Sequence, residues 1–118
     1  MVALTYTLFT SRSILQPALR AIATNHGFRA EDYLDAIPGE LIAQLHLGGY
    51  SDMGKFLFDT HSKAPTDPVW ALYQRMIRRI PEVPVLIEWD EAVPDWAGLE
   101  AQAIKAIKLA GEVHAVPA

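Results

Sequence analysis

The chain has 118 residues, of which 51% are hydrophobic and 20% are charged. These values are typical of one soluble globular domain and exclude a disordered tail. The formal net charge of −4 disfavours a nucleic-acid groove or a site for an anionic membrane surface.

The sequence carries no signal for membrane insertion or for disulfide bonding. No run approaches the roughly 18 consecutive apolar residues that would span a bilayer. No basic residue precedes the first apolar run, so a secretory signal is not expected. The chain has no cysteine, which excludes disulfides and thiolate ligands. We therefore expect a cytoplasmic protein.

The first half of the chain predicts two strands and two helices. VALTYTLF alternates like a strand, and SRSILQPALRAIA predicts a helix that is interrupted at Pro17. RAEDYLDAIP predicts a short helix, since Pro38 follows its apolar residues. LIAQLHLGG then predicts an apolar strand that ends at Gly48 and Gly49.

The second half predicts two further strands and two helices. KFLFDTH predicts a second short strand of the sheet, and DPVWALYQRMIRRI a helix with Asp67 as N-cap and Pro68 at its first position. VPVLIEW is apolar on consecutive positions, as in a strand covered on both faces. Asp95 is expected to cap a last helix that ends at Gly111, before a loose tail EVHAVPA. The apolar face of that helix is expected to comprise Leu99, Ala103, Ile104 and Ile107.

From residue 30 onward, three predicted strands alternate with helices, and two of the strands are directly followed by one. This order predicts an α/β fold built of parallel βα units.

Polar residues stand where each of these three strands ends. His46 closes the first apolar run, Asp59 and His61 close the second, and Glu88 closes the third. Functional groups gather at the carboxyl ends of parallel strands, and residues i and i+2 of a strand share a face. Two imidazoles and two carboxylates suit iron, manganese or zinc. The pattern predicts a metal site formed by these four side chains.

Each of these residues also has a structural interpretation. A histidine at a strand end is often a hydrogen-bonded structural residue. Asp59–His61 is compatible with a simple turn, and Glu88 with an ion pair to Arg78 or Arg79. Three strands that end alike favour the metal site, because burying such groups without partners is costly.

The other histidines and the tryptophans carry less weight. His26 is ambiguous, and His114 is expected to be solvated in the tail. The tryptophans are expected to pack in the core or at its rim, and they are Trp70, Trp89 and Trp96.

Four separated strings resemble the C-terminal part of one enzyme family. They are NHGF…YLDAIP, LHLGGY, DTHSKAPTDPVWALY and PVLIEWDEAVPDWAGLEAQAIKA, and they occur in family order from Asn25 to Gly111. The family is the multinuclear non-haem iron-dependent oxidative enzymes, which include methanobactin-biosynthesis enzymes and were formerly grouped as a domain of unknown function.

The resemblance implies a TIM barrel that holds two or three iron ions at the carboxyl ends of its strands. It also implies oxygen-dependent modification of ribosomally made precursor peptides, together with a peptide-binding partner protein. By motif, His46, Asp59, His61 and Glu88 match metal ligands. Asp90 is a weaker candidate, as a supporting residue, because metal ligands are usually held in place by hydrogen bonds from neighbouring groups.

The sequence departs from this family in length. A full barrel has eight βα units and roughly 250 residues, whereas this chain has room for about the last three. We expect an unrelated segment over residues 1–21, a partial barrel over 22–112 and a flexible tail over 113–118, as in a truncated gene product.

Two other functions stay open. One is a catalytically silent α/β domain for metal binding or protein interaction. The other is part of a zinc or manganese hydrolase, because the ligand types alone do not exclude it.

Overall fold

The computed structural model describes residues 13–115. In chain order, the elements are β1 (Ser13–Leu15), α1 (Gln16–His26), α2 (Ala30–Ala36), a 3₁₀ turn (Gly39–Leu41), β2 (Gln44–Leu47), β3 (Ser51–Asp52), β4 (Leu57–Phe58), α3 (Asp67–Arg79), β5 (Val85–Ile87) and α4 (Trp96–Ala115). No helix in this stretch has the length and apolarity needed to cross a membrane.

Three strands form a parallel sheet in the order β1-β2-β5. The central strand β2 aligns His46 with Leu15 of β1 and with Leu86 of β5. The short strands β3 and β4 form a separate antiparallel hairpin. The predicted α/β fold with parallel strands is confirmed.

Two of the predicted strand assignments are wrong. KFLFDTH does not supply a parallel strand, because β4 comprises only Leu57–Phe58 and pairs with β3 in the hairpin. The third parallel strand is Ser13–Leu15, and these residues belong to the segment that the sequence predicts as a helix. The helix starts at Gln16, so Pro17 lies in its first turn, where its missing N–H costs no hydrogen bond. The predicted strand VALTYTLF lies outside the described residues.

The core lies between the sheet and its helices. Leu45 and Leu47 of β2 are fully buried and belong to one cluster with residues of α3, which are Val69, Trp70, Leu72, Tyr73, Met76 and Ile77. On the opposite face of the sheet, Leu86 is 43% exposed. The expectation that the last strand is covered on both faces is therefore wrong.

Helix α3 follows its sequence signals closely. It begins at Asp67 with Thr66 in the N-cap position and Pro68 in the first turn, one residue earlier than predicted, which is an ordinary variation for helix ends. Its last turn carries Arg79, which donates to the carbonyls of Leu34 and Ile37 at 2.8 and 2.7 Å. This arginine ties the end of α2 to α3.

Helix α4 packs on a different face from the one predicted. Ala106 is 6% exposed, whereas Ile104 and Ile107 are 57% and 72% exposed. The hydroxyl of Tyr73 donates to the carbonyl of Ala106 at 2.9 Å, inside this contact. The side of α4 that carries Ala106 therefore faces α3.

The ends of α4 agree only in part with the prediction. Asp95 accepts a hydrogen bond from the backbone N–H of Gly98 at 2.9 Å, so its capping role is confirmed. The helix does not end at Gly111 but runs to Ala115. The first residues of the expected tail are therefore helical, and residues 116–118 lie outside the described part.

Candidate metal centre

His46 and Glu88 lie at the carboxyl ends of adjacent parallel strands. His46 is the third residue of β2, and its buried neighbours Leu45 and Leu47 turn the imidazole to the opposite face of the sheet. Glu88 follows β5 directly, and its N–H donates to the carbonyl of Leu47 at 2.7 Å. The sheet register thus places both side chains at one edge.

Asp59 and His61 reach the same edge through a turn and not through a strand. Strand β4 ends at Phe58, and His61 has a φ of 49°, a conformation that costs energy for a residue with a Cβ. The prediction that these two side chains share one face of a strand is wrong. Asp59–His61 forms a turn, and within this turn the side chains of Asp59 and His61 still lie 2.8 Å apart.

Backbone hydrogen bonds hold His61 in this conformation. Its N–H donates to the carbonyl of Gly49 at 3.1 Å. Its own carbonyl accepts from the backbone N–H groups of Asp90 and Glu91 at 2.8 and 3.3 Å. The turn is thereby fastened to the ends of both β2 and β5. Strained backbone of this kind persists where surrounding contacts over-determine it.

Two glycines allow the turn to approach the sheet. A Cβ on Gly48 would lie 2.9 Å from the carbonyl oxygen of Glu88 and 3.3 Å from the ring of His61. A Cβ on Gly49 would lie 2.6 Å from the carbonyl oxygen of Ala64 and would overlap Lys63. Side chains at these two positions would push the turn away from the site.

The four side chains form two close nitrogen–oxygen pairs. Nδ1 of His46 lies 3.0 Å from Oε1 of Glu88, and Nε2 of His61 lies 2.8 Å from Oδ1 of Asp59. The pairs are linked because Oε2 of Glu88 lies 3.6 Å from Nδ1 of His61. The side chains are only 15 to 28% exposed.

These pairs are close contacts without hydrogen-bond geometry. Four of their buried atoms have no hydrogen-bond partner within residues 13–115, one from each side chain. They are Nδ1 of His46, Oδ1 of Asp59, Nε2 of His61 and Oε2 of Glu88. Buried polar atoms in native proteins nearly always have a partner, so four such atoms in one cluster make this the candidate place for a ligand.

Burial and charge act on the protons of one pair. Burial raises the pKa of Asp59, although the neighbouring imidazole of His61 works in the opposite direction. For His61, burial disfavours the imidazolium, but the carboxylates of Asp59, Asp90 and Glu88 outweigh it and raise the pKa. The site is thus strongly anionic around one imidazole, which favours a cation.

The cluster does not form a closed coordination shell. Within residues 13–115, no group of three or more His, Asp and Glu side chains is placed so that it could hold one metal ion. The two nitrogens of His61 face carboxylates on opposite sides of the ring. The structure brings the four predicted side chains together as two donor pairs.

The remaining predicted residues are placed as follows. Oδ2 of Asp90 accepts a hydrogen bond from Nδ1 of His61 at 3.0 Å. Glu88 contacts the two histidines and not Arg79, whose guanidinium caps α2. His26 and His114 are exposed.

The tryptophans occupy three different environments. Trp70 is in the core at 4% exposure, with Lys105 over its ring at 4.8 Å. Trp89 is half-buried next to the site, and Trp96 is 74% exposed.

Two residues at or next to the site are not predicted from the sequence. Oε1 of Gln44 lies 2.9 Å from Nε2 of His46, and the i, i+2 spacing on a strand could have identified it. When Nε2 donates to Gln44, the Nδ1 lone pair of His46 is left free to bind a metal. The second residue is Asn25 of α1, whose side chain hydrogen-bonds the backbone of Leu57, two residues before Asp59.

The chain is similar to one family of enzymes along most of its length. The model of the family described as "RiPP precursor modification enzyme MbnB/TglH/ChrH" matches residues 19–110. A UPF0276 protein of Acaryochloris marina is 49% identical over 84 residues, which are 71% of this chain and 30% of that protein. UPF0276 proteins of Paraburkholderia phytofirmans and of an Anaeromyxobacter species are 44% and 41% identical over 76% and 74% of this chain.

The matched relatives are much longer than this chain. It spans 30 to 31% of the length of these three proteins. No solved structure matches the chain.

Proposed function

Since the chain belongs to the MbnB/TglH/ChrH family of RiPP precursor modification enzymes, we propose that it forms the C-terminal part of the metal centre of an iron-dependent oxidative enzyme. The substrate of that enzyme is a ribosomally made precursor peptide. The ligands from this chain are His46, Asp59, His61 and Glu88.

One observation carries this proposal, the cluster of four buried polar atoms that have no hydrogen-bond partner in the described residues. Leaving a buried donor or acceptor unsatisfied costs about 1–3 kcal/mol. A cation bound at each of the two donor pairs would accept lone pairs from the imidazole and the carboxylate of that pair and so remove this cost. The mixed nitrogen and oxygen set fits iron, and also manganese and zinc.

The two donor pairs are two incomplete coordination shells. His46 with Glu88, and Asp59 with His61, each supply two donors, which is fewer than an iron, manganese or zinc ion takes up. The other ligands would come from the part of the relatives that this chain does not span. This division also explains why residues 13–115 contain no group of three ligands around one point.

The fold supports an assignment to a slice of a TIM barrel. The three sheet strands are parallel, the buried face of β2 meets the helices, and the candidate ligands stand at the carboxyl ends. The other face carries Gln44, His46 and Leu86, which would line the barrel interior. In TIM-barrel enzymes the active site lies at this edge.

The roles of the chain's own residues follow from their contacts. Glu88 reaches both imidazoles, so it links the two pairs and sets their distance. Gln44 and Asp90 each engage the second nitrogen of one imidazole, which orients the ring and selects its tautomer. When bound, iron supplies the activation of oxygen. Family resemblance adds a partner protein that binds the peptide, and a cytoplasmic location stays a prediction from the sequence.

A catalytically silent metal-binding module is the second candidate. The incomplete ligand pairs favour it, because a weakly held ion with few protein ligands need not support oxygen chemistry. Oxygen uptake by the iron-loaded chain would favour the oxidative enzyme over the silent module. Iron binding without uptake is expected of both candidates, because the first one takes further ligands from outside this chain.

The test of metal binding is an anaerobic iron(II) titration of the full chain and of single variants. We expect His61→Ala to weaken iron binding about tenfold or more, while His114→Ala, at an exposed position on α4, leaves it unchanged. Circular dichroism would verify that both variants keep their helices. Equal iron binding by the wild type and by His61→Ala would overturn the proposed site.

A further inference from the structure

The side chain of Asn25 binds both backbone groups of one residue that lies 32 positions further along the chain. Its Nδ2 donates to the carbonyl of Leu57 at 2.8 Å, and its Oδ1 accepts from the N–H of Leu57 at 2.7 Å. A carboxamide presents a donor and an acceptor side by side, as a peptide group does. Asn25 therefore acts as a strand partner for β4.

The hairpin that receives this anchor is short, and its aromatic side chains are half exposed. Strands β3 and β4 are two residues long each, and an isolated hairpin of this kind is marginally stable at best. Phe56 and Phe58 are 48% and 56% exposed, so burial of these aromatic rings contributes little. The two hydrogen bonds from Asn25 tie this short hairpin to α1.

The anchored residue lies directly ahead of the candidate ligands. Leu57 is two residues before Asp59 and four before His61, and the backbone of His61 is fastened to Gly49 and Asp90. The segment is thus fixed at its start by Asn25 and at its end by the sheet. Hydroxyl contacts of Thr60 with Ser51 and Ser62, at 2.9 and 2.8 Å, brace its middle.

We propose that Asn25 is a positioning residue for the donor pair of Asp59 and His61. Its amide fixes the start of β4 at Leu57, and the chain reaches the two donors two and four residues later, so the position of Leu57 helps to set where they stand relative to Glu88. The effect of Asn25 on metal binding rests on the function proposed above. The hydrogen bonds of Asn25 to Leu57 do not depend on that function.

The first test measures amide hydrogen exchange at Leu57 in the full chain. Two variants are used: Asn25→Ala removes both hydrogen bonds, and Asn25→Asp keeps the size but sets a second acceptor oxygen against the Leu57 carbonyl. We expect Leu57 to exchange about tenfold faster in both, with the amides of α3 unchanged. Unchanged exchange at Leu57, or an equal rise at Leu57 and throughout α3, would overturn the proposal.

The second test follows the imidazoles themselves by NMR, without metal. We expect Asn25→Ala to shift the ring proton resonances of His61 and to leave those of His114 in place. The matched control is Asp35→Asn, which removes a pair with Arg75 between α2 and α3 and should not shift His61. Unshifted His61 resonances would show that the anchor does not position this ligand.

A cobalt(II) titration connects the anchor to the proposed function. We expect Asn25→Ala to weaken cobalt binding about tenfold and to change its visible absorption, with Asp35→Asn behaving as wild type. If the wild type binds no metal, the proposed function fails, while the exchange and NMR tests still decide the role of Asn25.

Discussion

Oδ2 of Asp90 lies 3.0 Å from Nδ1 of His61, on the side of the ring away from Asp59. When Nδ1–H donates to this carboxylate, Nε2 carries a lone pair and faces Oδ1 of Asp59. Two lone pairs 2.8 Å apart repel each other unless a proton or a cation lies between them. The contact between His61 and Asp90 thus leaves Nε2 as the nitrogen through which His61 would bind the proposed metal.

Removing this support should weaken metal binding. We expect Asp90→Ala to lower iron(II) affinity about tenfold, because supporting residues of metal-bound histidines have effects of this size. Asp90→Asn keeps an acceptor and should stay near wild type. Glu91→Ala removes a carboxylate from the next, also exposed position. A loss in Glu91→Ala equal to that in Asp90→Ala would show a general charge effect and contradict the specific role.

The close approach at Gly49 should not tolerate a side chain. In Gly49→Ala the new Cβ would overlap Lys63 and lie 2.6 Å from the Ala64 carbonyl oxygen. We expect a loss of about 1–3 kcal/mol in the free energy of unfolding. Gly111→Ala is the matched control, since nothing lies near its Cβ position inside α4, and it should gain about 0.5–1 kcal/mol. Urea denaturation measures both, and equal effects would contradict the close approach.

Because α4 buries Ala106 and exposes Ile107, substitutions at these two adjacent positions should affect stability differently. Ile107 is 72% exposed, so Ile107→Gln should change the free energy of unfolding by less than about 0.5 kcal/mol. Ala106 is 6% exposed and contacts Tyr73, so Ala106→Leu should cost about 1–3 kcal/mol by overpacking. Thermal or urea denaturation measures the free energy of unfolding of both variants. The reverse order would mean that the face predicted from the sequence is the buried one.

The hydroxyl of Tyr73 should make stability fall at alkaline pH. Burial raises the pKa of Tyr73 above its ordinary value of 10.0, because the buried phenolate is disfavoured. A raised folded-state pKa contributes stability that is complete below the unfolded pKa and is lost as pH rises through the folded one.

The variant Tyr73→Phe isolates this effect. At neutral pH it should lose about 1 kcal/mol, since the hydrogen bond to Ala106 is removed. Above pH 10 the difference from wild type should shrink, because the variant has no phenol to ionise. Urea denaturation at several pH values measures it, and a constant difference across the range would refute the linkage.

Local sequence signals predicted the elements that depend on near neighbours. The apolar spacing from Val69 to Ile77, with Pro68 in the first turn, predicted α3 within one residue. Strand β2, the position of His46 in it and the cap at Asp95 followed in the same way. The strings from Asn25 to Gly111 indicated the family, which the match over residues 19–110 confirms.

Other features depend on partners that are remote in the chain, and local patterns miss them. KFLFDTH has the composition of a sheet strand, but pairing with β3 makes β4 part of a hairpin. Helix α4 carries apolar residues on more than one face, so periodicity cannot choose between Ile107 and Ala106. Contact with Tyr73 makes that choice.

The candidate site shows both kinds of information. Residue type and position at a strand end are local properties, and they identified His46, Asp59, His61 and Glu88 as candidate ligands. Their convergence depends on a left-handed turn at His61, on two glycines that permit it, and on an amide of Asn25 that meets Leu57 across 32 residues. Spacing along the chain cannot encode such contacts, because they exist only after the backbone has brought distant segments together.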